Sequence, residues 1–126
     1  MNTKIKRIGV LTSGGDAPGM NAAVRAVVRA SSYFSVECVA IYKGYQGLID
    51  DETKLMNARS VNNIINKGGT ILKSARCLEF RTPEGRKKAY ETIKKHTIDA
   101  LIVIGGDGSF TGAMIFHSEF NFPVIG

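Results

Sequence analysis

The sequence predicts a doubly wound α/β fold, a parallel sheet carrying helices on both faces. Three observations lead there. Short apolar runs of strand character alternate with helical patterns along most of the chain. One run, Ala100–Ile104, is continuously apolar and largely β-branched, as suits a strand covered on both faces. Two glycine-rich turns each follow a strand signal and lead into a helix.

Taken in order, residues 7–11 form a short apolar run ending at the first such turn, which reads as a buried strand. Residues 21–33 follow, with Ala22, Val24, Ala26, Val27, Val28 and Ala30, a helix of small residues able to pack closely on a sheet. Residues 36–41 give a second strand, and Gly44-Tyr45-Gln46-Gly47 breaks the pattern. Val61, Ile64 and Ile65 form one stripe at helical spacing on a short helix opened by Ser60. Thr82-Pro83-Glu84 combines an N-cap residue, proline at the first helical position and an acid in the first turn, so a helix runs from there to about His96. After Ala100–Ile104 come a helix over about 109–120 and a last strand over 122–125. The whole is Rossmann-like, without repeats, low-complexity tracts or linkers. Because the series stops at a strand with no covering helix, the expectation is one incomplete domain, residues 1–126 of a longer protein.

The composition narrows the function classes. A chain of 126 residues with 44% hydrophobic and 22% charged residues is ordinary for a globular domain. No apolar run approaches the roughly 18–20 residues needed to cross a bilayer, and residues 1–7 lack the apolar stretch of a secretory signal. Cys38 and Cys77 make neither a disulfide framework nor a metal-ligand pattern. A cytoplasmic protein with two reduced thiols is expected. The net charge of +6 is scattered and not interleaved with aromatics, which argues against nucleic acid. Lys87-Lys88 and Lys94-Lys95 read as the wet face of one helix, and a positive excess equally suits small phosphorylated substrates. His96 and His117 read as structural, His96 standing at a helix end where positive charge is favoured.

In open α/β sheets, ligands bind outside the carboxyl ends of the strands. The first turn there is Thr12-Ser13-Gly14-Gly15-Asp16-Ala17-Pro18-Gly19-Met20-Asn21. Its glycines allow an anion close to the backbone, and the following helix supplies free N–H groups. The second is Gly105-Gly106-Asp107-Gly108-Ser109, where Ser109 can cap the helix or bond a phosphate oxygen. Asp107 offers the oxygen ligand that Mg²⁺ prefers while the metal also holds phosphate. Neither standard nucleotide motif fits. After Gly14 and Gly19, Met20-Asn21 stands where a P-loop needs lysine and a hydroxyl, and Gly106, Gly108 and Gly112 are spaced one residue too wide for the dinucleotide pattern.

These two turns, together with Ser74-Ala75-Arg76, resemble the phosphofructokinase family, in order and over nearly the whole chain. The resemblance implies a two-domain α/β enzyme of which this chain is most of the ATP-binding domain. The reaction implied is transfer of the γ-phosphoryl group of MgATP to the 1-hydroxyl of fructose 6-phosphate, the committed step of glycolysis. By the same resemblance Gly15 lies beside the nucleotide phosphates, Tyr45 lines the nucleotide pocket, and Cys77, Phe80 and Arg81 flank adenine and ribose. Arg76 stands near the transferring phosphoryl group, Asp107 is the Mg²⁺ ligand, and Gly106, Gly108, Ser109 and Gly112 form the phosphate cradle. Glycine at Gly108 resembles the ATP users, since pyrophosphate users typically carry aspartate there. Arg25 and Arg29, four apart on one helix face, resemble part of an allosteric phosphate site at a subunit interface of a homotetramer. Nearby, Ala58 stands where an arginine is common, with Arg59 beside it, Asn62-Asn63 replaces a Ser-Asp pair, and Lys73 replaces a frequent glycine. The family's catalytic base belongs to a Thr-Ile-Asp-Asn-Asp run beyond Gly126, so residues 1–126 alone are expected to be inactive. A pyrophosphate-dependent phosphofructokinase and a non-catalytic nucleotide-binding regulatory subunit are the alternatives. A lipid or NAD kinase shares only the second turn.

Overall fold

A computed structural model of the chain describes residues 5–13, 20–57, 72, 78–105 and 107–125, without the side chains of Met20, Asp107, Gly108 and Ser109. The elements are β1 (Arg7–Thr12), α1 (Met20–Tyr33), β2 (Glu37–Ile41), α2 (Gly44–Asp50), β3 (Thr53–Met56), a 3₁₀ turn at Glu79–Arg81, α3 (Pro83–Lys95), β4 (Ala100–Ile104), α4 (Asp107–Phe120) and β5 (Val124–Ile125). The strand order is β3-β2-β1-β4-β5. The expected short helix around Val61 to Ile65 lies outside the described residues.

Side chains alternate along each strand, and the sheet therefore serves two cores. Ile8 and Val10 of β1, Cys38 and Ala40 of β2 and Ala100 of β4 pack with Val24 and Val28 of α1. Leu11, Val39, Ile41, Leu101 and Val103 face the other way, into a core closed by residues of α2, α3 and α4. Helices thus cover both faces, as the doubly wound reading requires. In the parallel part, β1 pairs with β2 and with β4, and β4 with β5.

The sheet also has an antiparallel edge. Strand β3 folds back on β2 with Ile41 opposite Thr53 and Cys38 opposite Met56. Its four residues are too short for a visible alternation, and Lys54 at this edge blunts pairing with another chain. The glycine stretch after β2 is not simply a break, because it opens α2. Lys43 and Gly44 both adopt left-handed backbone, at φ 62° and 60°, and turn the chain there. A Cβ on Gly44 would come within 3.0 Å of the Thr12 carbonyl, so α2 starts against the end of β1.

Helix α3 begins as its sequence dictates, with the Thr82 hydroxyl accepting from the Gly85 N–H at 3.0 Å and proline in the first turn. Its last turn is anchored to the α2–β3 connection: Lys95 Nζ lies 2.6 Å from Asp51 Oδ2, and His96 Nε2 meets Asp51 Oδ1. These hydrogen bonds from Lys95 and His96 hold the Asp51 carboxyl below the usual carboxylate range. Helix α4 ends where His117 Nδ1 donates to the Phe122 carbonyl at 2.6 Å. Both histidines are structural in this sense, and Lys87, Lys88, Lys94 and Lys95 are exposed as expected. Burial pushes the Cys38 thiol up to about 11, which suits an inert core residue; Cys77 lies outside the described residues.

Phe116, fully buried on α4, is the hub of the second core, with ring centroids of Phe80, Tyr90, Phe120 and Phe122 between 5.0 and 6.2 Å away. Phe116→Ala should lower unfolding stability by about 3–5 kcal/mol, read from urea titration; a loss below about 1 kcal/mol would show that these rings do not hold the core. The Asp51 anchor gives a pH-dependent expectation. A carboxylate whose folded pKa is depressed contributes stability above its unfolded value near about 4, lost as pH falls through the folded value. Asp51→Asn should therefore cost about 0.5–1 kcal/mol at neutral pH. Thermal melts of the two proteins should converge as the pH falls below about 4; a pH-independent gap would contradict the assignment.

Candidate nucleotide-phosphate site

The ligand crevice of an open α/β sheet lies where successive connections leave a strand in opposite directions. Here that point falls between β1 and β4. From β1 the chain passes through α1 to β2 on one side, and from β4 it passes through α4 to β5 on the other. Thr12 pairs with Ile104 at the carboxyl ends of the two strands, and the Ser13 N–H donates to the Ile104 carbonyl at 2.9 Å. Both glycine-rich turns therefore start side by side. Thr12 and Asn21, at the two ends of the first turn's motif, are buried polar residues.

Beside this crevice stands an aromatic wall. Tyr45, in the first turn of α2, stacks on Phe80 of the 3₁₀ turn with ring centroids 4.0 Å apart and planes 13° apart. Both rings are buried, and burial pushes the Tyr45 phenol well above its ordinary range. Gly112, in the second turn of α4, faces the same pair. A Cβ there would meet Phe80 Cε2 at 3.5 Å and Tyr45 Cε2 at 3.7 Å, which is ordinary contact. Three residues singled out from the sequence, Tyr45, Phe80 and Gly112, are thus brought together. Arg81 follows Phe80 in the turn and is exposed.

Helix α4 starts at Asp107, so Asp107, Gly108 and Ser109 form its first turn directly after β4. Gly15, Arg76, Cys77 and Gly106 lie outside the described residues, as do Ala58, Arg59, Asn62, Asn63 and Lys73. Arg25 and Arg29 sit on α1, half-buried and exposed respectively, on the sheet face opposite the aromatic wall.

One part of the arrangement had no signal in the sequence. Arg86 of α3 is only 8% exposed. Its Nε and Nη2 donate to the two carboxylate oxygens of Glu119 at 3.1 Å each, and its Nη1 donates to the Phe80 carbonyl at 3.1 Å. Such a two-pronged pair is the strong form of a charge-assisted hydrogen bond. Arg86 stands among exposed Lys87 and Lys88, and its partner lies 33 residues away, so local patterning marks neither.

Together these features define a doubly wound α/β domain in which two glycine-rich stretches of sequence lead from the adjacent carboxyl ends of β1 and β4 into α1 and α4. Comparison with known proteins gives the family. The phosphofructokinase family profile matches residues 7–126. The ATP-dependent 6-phosphofructokinase 2 of Bacteroides thetaiotaomicron is 60% identical over 122 residues, which are 97% of this chain and 37% of that protein. The crystal structure of Pichia pastoris phosphofructokinase in the T-state superposes with a TM-score of 0.88 at 47% identity, over 94% of this chain and 14% of the other. A pyrophosphate-dependent phosphofructokinase from Marinobacter aquaeolei, 19% identical, shares the fold with a TM-score of 0.79 over 95% of this chain and 32% of its own. The chain belongs to the phosphofructokinase family, and it spans 37% of the length of the Bacteroides relative. Among the described residues, no helix is long and apolar enough to cross a membrane.

The contacts at Gly112 make a direct test of the wall. Gly112→Ala should leave the fold intact and, by helix propensity, gain up to about 1 kcal/mol in thermal unfolding. A larger side chain such as Leu must displace the Tyr45–Phe80 stack, and equal stability for Gly112→Leu would refute the packing described.

Proposed function

We propose that the protein containing this chain is an ATP-dependent 6-phosphofructokinase, transferring the γ-phosphoryl group of MgATP to the 1-hydroxyl of fructose 6-phosphate and releasing fructose 1,6-bisphosphate and ADP. The observation that carries this reading is the 60% identity, across nearly the whole chain, to a relative named for that activity. Pyrophosphate as donor has weaker support, because the pyrophosphate-dependent structure is only 19% identical and shares the fold alone.

In this reading residues 1–126 form the ATP-binding part, and most of the sugar-phosphate contacts belong to the rest of the protein. The nucleotide lies across the carboxyl ends of β1 and β4. Gly15 and the turn formed by Gly106, Gly108 and Ser109 offer backbone N–H groups to its phosphates, supported by the helix starts of α1 and α4. Tyr45, Phe80, Arg81 and Gly112 lie toward the base and ribose, and Cys77 is assigned to the same contacts by the family resemblance alone. That the Tyr45–Phe80 wall stands against the second turn of α4 supports this, since α4 also begins at the phosphate turn. Arg76 is assigned, by the family resemblance, to the negative charge that grows as the phosphoryl group moves, where preorganised positive charge lowers the barrier.

Asp107 is the residue that would hold Mg²⁺. A carboxylate on the first residue of α4, within the second glycine-rich turn, suits a cation that binds through one or two carboxylates together with phosphate oxygens. When bound, Mg²⁺ supplies neutralisation of charge on the transferring phosphates. Arg25 and Arg29, on the far sheet face, are assigned to a separate effector phosphate, and the working protein is a cytoplasmic homotetramer.

The reading is tested in the full-length protein by a coupled assay with ATP and pyrophosphate supplied in turn. ATP-driven formation of the bisphosphate is expected; turnover with pyrophosphate alone would replace ATP as the donor. Asp107→Ala should lower kcat/KM by about a hundredfold or more and change its Mg²⁺ dependence. An unaltered rate and Mg²⁺ profile would remove Asp107 from the metal site.

A further inference from the structure

Helix α4 meets Phe80 at two places. Near its start, Gly112 lies against the Phe80 ring. At its last turn, Glu119 takes both prongs of the Arg86 guanidinium, whose remaining amino group donates to the Phe80 carbonyl. Gly112 and Glu119 are seven residues apart, two turns along one face, and Phe116 between them packs its ring 5.7 Å from that of Phe80. The 3₁₀ turn is therefore gripped by its ring at one level of α4 and by its backbone at another.

The grip is costly to build. Arg86 is nearly fully buried, while the Glu119 side chain is 33% exposed. Desolvating a guanidinium is offset only where good geometry satisfies its donors. Packing alone would be served by apolar residues of the same size, but those cannot hold a carbonyl. What the charged pair adds is a fixed place for the Phe80 backbone.

We propose that Glu119 is a positioning residue for nucleotide binding: through Arg86 it holds the Phe80–Arg81 turn in register with the start of α4, so that the base side and the phosphate side of the site keep one spacing. The inference rests on the reading of Phe80, Arg81 and Gly112 as nucleotide contacts. Glu119 itself touches no substrate in this account. Its loss loosens the base side and leaves the phosphoryl-transfer end, built on other turns, in place.

The test uses the full-length protein and two variants. Glu119→Gln keeps the shape and removes the charge. The double variant Arg86→Met with Glu119→Leu removes both charges together and leaves no unpaired buried ion. In both, the KM for MgATP is expected to rise about five- to tenfold, the scale of one ordinary hydrogen bond lost. By the same scale kcat should fall less than about threefold, with the KM for fructose 6-phosphate unchanged and the thermal unfolding of the double variant close to that of the parent. A folded double variant with the parental KM for MgATP would overturn the inference, as would a fall in kcat with no change in that KM. Should the double variant not fold, Glu119→Gln decides by the same criteria. Calorimetric titration with MgATP separates the two levels. A parent that binds MgATP no more weakly or strongly than its variants defeats the role of Glu119 alone. A parent that binds no MgATP defeats the nucleotide reading and this inference with it.

Discussion

The site depends on two strands from distant parts of the chain lying side by side in parallel. Strand β1 is central, bonded to β2 on one edge and β4 on the other. Because the connections from β1 and β4 depart toward opposite edges of the sheet, neither α1 nor α4 crosses the gap above them. The Ser13 N–H to Ile104 carbonyl hydrogen bond closes the ladder at that gap. It also fixes how far apart the two glycine-rich turns begin. Anion binding by backbone N–H groups and helix starts requires such fixed geometry, since none of these donors can swing into place as a lysine side chain can.

Around this gap the second core acts as a frame. The rings of Tyr45, Phe80, Phe116, Tyr90 and Phe120 form a continuous path across α2, the 3₁₀ turn, α3 and α4. Stacked and tilted rings interlock in shape, so the helices slide past one another less easily than on aliphatic contacts alone. Polar ties finish the frame at its margins. Asp51 joins the end of α2 to the last turn of α3, and Glu119 joins α4 to α3 through Arg86. The residues nearest the crevice are thus set by contacts made well away from it.

The sequence was most legible where a signal is local. Residues 82–84 announce the start of α3, the apolar run marks β4 to the residue, and the two turns carry glycines and aspartates that few other structures need. Strand β3 was hidden because four residues with an exposed lysine show too little periodicity. The helix at Gly44 was hidden because glycine reads as a breaker, whereas here it allows α2 to rest on the end of β1. Tyr45 and Phe80 entered through the resemblance, but their stacking on one another required the fold. Arg86 and Glu119 left no mark at all: one sits in a lysine-rich helix, the other at a helix end, and only the packing of α3 on α4 makes them partners.

The central place of β1 also bears on the order in which the molecule is assembled. Arg7 reaches Glu37 across 30 residues and Asp99 across 92. Closing the longer loop costs about 1 kcal/mol more in chain entropy than closing the shorter one. As the polypeptide emerges from the ribosome, β1 can pair with β2 long before β4 has been made. The groove between β1 and β4 comes into being only when β4 docks onto a strand already held on its other side. Until β4 has been made, an edge of β1 stays open to other chains.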